Sequence, residues 1–545
     1  MNRPNVLFIL ADDLGQGDVS CFNPDAAWTT PHLDRLAAEG LRLTDAHATS
    51  ALCTPSRYGA LTGRYNWRSA LKSSVLPGDS LALIERDRPT LASLLKGQGY
   101  RTAVVGKWHL GLDWHLRADG EDLDGFGLET PEGGVPTARM GRGGNFDVGA
   151  RVWREGLDID YSRPVRSGPN DLGFDHSFIT PASLDQPPYV YVEDGVPLAQ
   201  PDHYDGDGER IDRLTDSMWQ SIQSGPMAPD YDVHRVVSDF HAHALAVLDD
   251  LLARDAPWFL YVPSHLVHGP VIPDEPWRGR SGAGAYGDWV LQLDDYVGEM
   301  VARVDAAGAR EDTIVVFTSD NGVSGVAGLE ALRGHGHDPS NGWRGHKGDV
   351  WEGGHREPTI VRWPGHVAAG STSDALVSHA DLFATLAEVL GVAVPDDAAE
   401  DSVSALPVWL GEDGPTRQTL VAVAGGGGFS LRRGRWKLEF VIDGDGMDVM
   451  HADTPPSPDV PRYVPGQLYD LEADPGEREN LIADHPDLVR ELTEEMAEQI
   501  RRGRSTPGPD GRNHAPTGAG AWVQIGWMHD ADEVCRRGAA DPDAG

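Results

Sequence analysis

Cysteine is scarce here: three in 545 residues, Cys21, Cys53 and Cys535, far apart and odd in number. No disulfide framework follows from such a set, and a reducing cytoplasm is the expected compartment. Long apolar runs are missing too. None approaches the roughly 20 residues a membrane-crossing helix needs, so no membrane partner is expected. The opening MNRPNVLFILADD has no basic region, no full-length apolar segment and no small-residue cleavage site, so no secretory leader is read there. Positive charge is also short: 46 Lys and Arg face 85 Asp and Glu, for a net charge of −39 at pH 7. General nucleic-acid binding needs a basic surface and is excluded on that ground. An anionic substrate would have to be drawn in by local cations, against the global field.

What is present is a globular composition, 40% hydrophobic and 24% charged. Short β-branched or aromatic runs alternate with helical patterns, which predicts an α/β protein built on a large mixed, mainly parallel sheet sandwiched by helices. Strands are expected at Asn5–Leu10, Thr102–Val105, Trp258–Val262, Ile314–Thr318 and Thr359–Arg362. Helices are expected after Thr30, with Pro31 at the first helical position, and over Asp239–Arg254, Trp289–Val304 and Asp381–Leu390. Residues 112–235, rich in Gly, Asp and Pro, read as long functional loops. The predicted division is a catalytic α/β domain over 1–420, a smaller α+β domain with an antiparallel sheet over 421–505, and an extended tail over 506–545. A helix over His485–Arg501 belongs to the second of these.

Polar residues gather just past the predicted strands. Asp12 and Asp13 follow the first, Lys107 and His109 the second, His265 and His268 the third, Asp320 and Asn321 the fourth. In a parallel sheet these ends share one edge, where open α/β folds bind ligands. Two Asp residues plus an Asp–Asn pair make an all-oxygen set, which suits calcium or magnesium better than zinc or copper. Cys53, in ALCTPSRYG, could be a thiolate nucleophile, a metal ligand or a precursor of something else. The phosphatase spacing fails because position 59 is Gly59, and zinc spacing fails because no second Cys is near. Gly106-Lys107 is followed by Trp108, which rules out a Walker A loop. The fragments Asp205–Glu209 and Asp443–Met447 lack the glycine and terminal Glu of a calcium hand and read as turns.

Taken together, these residues resemble the sulfatases of the alkaline-phosphatase superfamily. CTPSR (Cys53–Arg57) matches their Cys-x-Pro-x-Arg signature, and GYRTAVVGKWHLG (Gly99–Gly111) matches the second. PNVLFILADDLG, TSDNG (Thr318–Gly322), KGDVWEGGHREP (Lys347–Pro358) and LYDLEADPGERENL (Leu468–Leu481) resemble further blocks, in the family's order from Pro4 to Leu481. Ala60 departs from the bulkier apolar residue usual in the first signature, which touches packing and not chemistry.

The resemblance implies an alkaline-phosphatase-like fold and hydrolysis of a small-molecule sulfate monoester, aryl or carbohydrate. It implies that a formylglycine-generating enzyme oxidises Cys53 to formylglycine. One hydroxyl of the aldehyde hydrate would attack sulfur and release the alcohol; the other would expel sulfate from the covalent intermediate. Asp12, Asp13, Asp320 and Asn321 would hold Ca2+, with Mg2+ possible. Lys107 and Lys347 would bind sulfate oxygens and Arg57 would steady the hydrate. His109 would act as the base for elimination, and His268 would stand at the leaving oxygen. A phosphonate or phosphate ester hydrolase on the same scaffold is the alternative, and a silent ligand-binding relative is a third. His335, His337, His346 and His355 read as loop or substrate-contact residues. His241 and His243, two apart on a helix, do not form a ligand pair. Trp343 and Arg344 are expected to line the cleft.

Overall fold

The computed structural model describes residues 3–117, 156, 159–205, 222–223, 225–412, 414, 416–446, 462–514 and 522–528. NVLFILA is apolar on every residue after the first, and a run of that kind is stable as a strand only when both faces are covered. It forms the strand Asn5–Ala11 at the middle of a ten-stranded sheet. Leu7, Ile9 and Ala11 point into one apolar core, while Val6, Phe8 and Leu10 point into the other. The first core is closed by helices Pro31–Ala38, Val236–Leu252 and Ala285–Ala306, the second by Cys53–Thr62, Leu91–Gly97 and Asp381–Val389. The result is a three-layer α/β/α sandwich.

Five strands form the parallel centre, in the order Thr313–Ser319, Asn5–Ala11, Trp258–Pro263, Arg101–Lys107 and His176–Thr180. Thr359–Arg362 lies antiparallel beside them, and the hairpin strands Val192–Glu193 and Val196–Pro197 finish the other edge. The four central runs read from the sequence are all present, lengthened by one to three residues. His176–Thr180 is a correction. It lies in the stretch 112–235 that read as loop, because five residues between Gly173 and Pro181 are too few to display a period. Of that stretch, 118–155, 157–158, 206–221 and 224 lie outside the described residues, as do most of the Asp205–Glu209 fragment, Met447, Cys535 and most of the tail.

A second, wholly antiparallel sheet follows: Thr419–Val423, Phe429–Arg433, Trp436–Glu439 and Gln467–Asp470, with helix Pro486–Arg502 packed on it. Its apolar core also takes in Tyr65 and Trp67, so it is built partly from the early chain. A buried ionic cluster fastens it to the main body. Lys437 Nζ, from the second sheet, lies 3.1 Å from Glu352 and 2.7 Å from Glu477. Asp45 takes Arg432 at 2.7 Å, Arg356 at 3.0 Å and His47 at 2.8 Å.

Candidate active site

Sheet register brings the polar residues together. Ala11 pairs with Ser319, so the chain leaves both strands side by side, and Asp320 N donates to the Ala11 carbonyl at 3.0 Å. Asp12 is laced to the neighbouring loop by its own N–H on Leu266 O at 2.7 Å and by Val267 N on its carbonyl at 2.6 Å. Asp13 and His109 both hold positive φ, 62° and 56°. Residues with a Cβ seldom adopt that conformation, which costs of order 1–3 kcal/mol and persists where the surroundings impose it.

Cys53 is the first residue of the helix Cys53–Thr62, after Leu52 in extended conformation. The helix thus begins two residues before Pro55. Position 59 must be glycine for a steric reason: a Cβ there would stand 2.2 Å from Thr49 Oγ1. The loop before the helix is tied to the second sheet by Ala51 N and Ser50 Oγ, both donating to Val423 O, at 2.8 and 2.9 Å. Lys347 reaches the site from a loop anchored at Val323 O and followed by Gly348 N on Ala51 O, each at 2.8 Å.

The charges interlock. Lys107 Nζ lies 2.7 Å from Asp12 Oδ2, Lys347 Nζ lies 2.6 Å from Asp13 Oδ1, and Arg57 Nη2 lies 2.7 Å from Asp320 Oδ2. Arg57 Nη1 also donates to the Lys107 carbonyl at 2.9 Å, and Asn321 Nδ2 donates to Asp13 Oδ1 at 2.8 Å. Burial pushes Asp12 and Asp13 up, but the lysines, with His268, outweigh it and hold both below the usual carboxylate range. His268 Nε2 is 3.7 Å from Asp13, and its Nδ1 donates to Gly269 O at 2.6 Å. One ligand atom each of Asp12, Asp13, Cys53 and His268 lies within 4.8 Å of the others. The ten residues to which the resemblance gives catalytic or metal roles therefore gather at one edge of the sheet. His265 stands behind them, with Nε2 2.8 Å from Thr180 Oγ1.

Several buried atoms are left over. Asp12 Oδ1, Asn321 Oδ1 and His109 Nδ1 have no hydrogen-bond partner among the described residues. Unpaired carboxylate and amide oxygens are costly to bury unless a guest satisfies them. Two such oxygens in an all-oxygen set fit a hard divalent cation. His109 Nε2 must carry its proton, since it faces the Leu76 carbonyl at 2.8 Å, so the lone pair is on Nδ1. Burial, then Lys107 and Arg57, keep this imidazole well below its ordinary pKa. For Cys53, burial outweighs the two lysines and pushes the thiol up to about 11, which disfavours a thiolate nucleophile.

The site opens into a cleft of about 230 Å³. Cys53, His109, His268 and Lys347 are at its base, and Ser183, Asp185, Gln186, Gln223 and His346 are on its walls. Sequence reasoning missed Ser183, Asp185, Gln186 and Gln223, which sit in the stretch without readable period. Asp185 Oδ1, 4.0 Å from His268 Nδ1, and Gln186 Oε1 also have no hydrogen-bond partner among the described residues. The four loop histidines disperse, with His335 exposed at the end of the helix Leu329–Gly334. His346 lines the cleft, His337 is buried against Asp18 at 2.8 Å, and His355 joins the ionic cluster beneath the second sheet through His47, at 3.0 Å. Trp343 and Arg344 do not line the cleft. The Trp343 indole donates to Gln16 at 2.9 Å, and Arg344 donates to Tyr469 at 3.0 Å while stacking on Trp351.

Comparison with known proteins agrees with this geometry. The family model described as Sulfatase matches residues 4–134 and 166–392. N-acetylgalactosamine-6-O-sulfatase of Bacteroides thetaiotaomicron is 34% identical, the match covering 90% of this chain and 92% of that protein. Human arylsulfatase A is 32% identical, with 88% and 83% covered. A solved structure from Bacteroides thetaiotaomicron, concerned with metabolism of multiple glycosaminoglycans, superimposes with a TM-score of 0.72 at 32% identity, covering 91% of this chain and 99% of that one. The phosphonate monoester hydrolase of Agrobacterium radiobacter shares the fold, with a TM-score of 0.56 at 20% identity and 92% and 96% covered. The chain belongs to the sulfatase family and is an enzyme that hydrolyses sulfate esters.

Proposed function

We propose that this sulfatase cleaves the sulfate monoester of a small carbohydrate, using formylglycine formed from Cys53 and a calcium ion held by Asp12, Asp13, Asp320 and Asn321. The observation that carries the reading is the set of unsatisfied atoms around residue 53: two cation-seeking oxygens, one imidazole lone pair and, on the cleft wall, two acceptors. Asp185 and Gln186 offer those acceptors where sugar hydroxyls or an amide N–H could donate, and an unsubstituted aryl ring has no such donor. The identity to an N-acetylgalactosamine-6-O-sulfatase supports a carbohydrate in the same direction.

Charge explains how a protein of net −39 accepts an anion. Asp12, Asp13 and Asp320 are matched one for one by Lys107, Lys347 and Arg57. A divalent ion held by Asp12, Asp13, Asp320 and Asn321 would supply the surplus positive charge that this balanced set lacks for an anion. Formylglycine, as its hydrate, would carry two hydroxyls on one carbon: one to attack sulfur while the S–O bond to the alcohol breaks, the other to give up its proton so that the aldehyde re-forms and the C–O bond to sulfate breaks. Lys107 and Lys347 donate to the peripheral sulfate oxygens, where charge resides in the transition state. His109 Nδ1 accepts the proton that must be removed for sulfate to depart. His268, with Nδ1 fixed by Gly269 O and Nε2 facing Asp13, delivers a proton toward the leaving oxygen. Cys53 is 2% exposed, so the formylglycine-generating enzyme acts before this helix packs.

Mass spectrometry of the tryptic peptide Leu43–Arg57 from active protein is expected to show aldehyde at position 53. Chelation is expected to abolish turnover, and calcium to restore it. An N-acetylhexosamine 6-sulfate is expected to be turned over with higher kcat/KM than nitrophenyl sulfate, and nitrophenyl phosphonate least well. A thiol at position 53 in fully active protein, or phosphonate as the best substrate, would overturn the proposal.

A further inference from the structure

On the far side of the sheet from the Cys53 helix, three elements bring metal-binding side chains to one point. His176 opens the last strand of the parallel centre, Glu193 is on the hairpin strand paired with it, and His243 is on helix Val236–Leu252. His176 Nε2 and His243 Nε2 face each other at 3.2 Å. Two imidazoles on a tetrahedral Zn2+, with Zn–N bonds of about 2.0–2.1 Å, hold their nitrogens about 3.3–3.4 Å apart. Glu193 Oε1 is 4.0 Å from His243 Nε2, and one ligand atom from each of the three residues falls within 4.8 Å of the others. Glu193 is partly exposed, so its side chain can close the remaining gap.

The surroundings are those of a prepared ligand set. His176 Nδ1 lies 3.1 Å from Asp194 Oδ1, the carboxylate–histidine pairing that fixes a metal-binding tautomer with its lone pair on Nε2. Asp194 is itself held, accepting from Ser177 N at 2.8 Å and from Asn170 Nδ2 at 3.3 Å. His243 is stacked on Phe178, with ring centroids 4.0 Å apart, which sets the plane of its ring.

We propose that His176, His243 and Glu193 form a site for a zinc-class transition metal, separate from the all-oxygen site, with solvent as fourth ligand. It would clip the edge hairpin to helix Val236–Leu252. The strand His176–Thr180 runs directly into the segment carrying Ser183, Asp185 and Gln186, so the clip would brace the cleft wall.

The test is a Co2+ titration of the full-length, calcium-saturated enzyme followed by visible absorption, with Zn2+ displacement and a chelating indicator for affinity. One equivalent with the strong bands of a tetrahedral site is expected in the parent protein. H176Q and H243Q should each lose those bands and the tight Zn2+ equivalent while keeping sulfatase activity, which shows that they fold. D194N, which spares every ligand, should weaken Zn2+ binding about 10–100-fold. Tight binding that persists in both histidine variants, or no saturable binding in the parent, would overturn the proposal and leave a hydrogen-bonded imidazole pair only.

Discussion

Two buried ionic clusters in this molecule are made of nearly the same parts and serve opposite ends. At the active site, Lys107, Lys347 and Arg57 face Asp12, Asp13 and Asp320. Beneath the second sheet, Lys437, Arg356 and Arg432 face Asp45, Glu352 and Glu477. Each has a further carboxyl, Glu357 in one and Glu439 in the other, that burial above all pushes well above the usual range. Histidines border both. The difference is in what remains available. Among the described residues both keep unpartnered oxygens, on Asp12 and Asn321 in the active site and on Glu439 in the second cluster, but the active site also keeps a lone pair on His109 and a cleft lined by His109 and Cys53. In the second cluster the Lys437 ammonium lies 3.1 Å from Glu352 and 3.4 Å from His355, and the ions are packed between sheet and body. Composition alone does not make a site; unsatisfied valence with access to solvent does.

That contrast can be broken in order of expected effect. Cys53→Ala should remove the nucleophile and lower kcat by a factor on the order of 10⁵–10⁶, read as product release under saturating substrate. Residual turnover near that of the parent would mean residue 53 takes no part in the chemistry. His109→Ala should lower kcat about 10²–10⁴-fold. A loss confined to KM would assign His109 to binding instead.

A matched pair of lysines then separates chemistry from cohesion. Lys347→Met should lower kcat/KM by about 10²–10³-fold. Lys437→Met should spare kcat/KM per folded molecule but reduce unfolding free energy by about 3–5 kcal/mol in urea, because it strands buried carboxylates. If both variants behaved alike, the two clusters would not differ in role.

The smallest effect concerns His379, whose backbone N–H reaches His47 O at 2.9 Å and whose Nε2 is 2.9 Å from Thr318 Oγ1. Burial, against the pull of Asp320, holds it down at about 3. The unfolded histidine takes a proton near its ordinary value of about 6.5 while the folded one does not. Its stabilising share is therefore complete above that value and is lost as pH falls from there toward 3. His379→Gln should flatten this acid limb by up to about 1.4 kcal/mol per pH unit, measured by denaturant unfolding at several pH values. An unchanged slope would show that His379 is not held neutral.

Much of this was legible before any coordinates. The central strands are long apolar runs covered on both faces, and such runs stand out in any sequence. The metal-directed acids follow them directly, so strand order and register brought them together. The wall of the cleft was not legible. Ser183, Asp185 and Gln186 follow a five-residue strand that carries no period of its own, and nothing local marks them as neighbours of Cys53. His243 was correctly separated from His241, yet its partner His176 is 67 residues earlier and belongs to another element.

The amino-acid order by itself determined the layers, the edge at which chemistry gathers and the residue types offered there, because periodicity and strand-end position are local properties of a chain. Which of two similar ionic clusters stays open, which histidines meet, and which acceptors line the cleft were decided only by tertiary packing. Hydrogen bonds and ion pairs act over a few ångströms of space, and the residues that make them here are separated by tens to hundreds of positions along the chain.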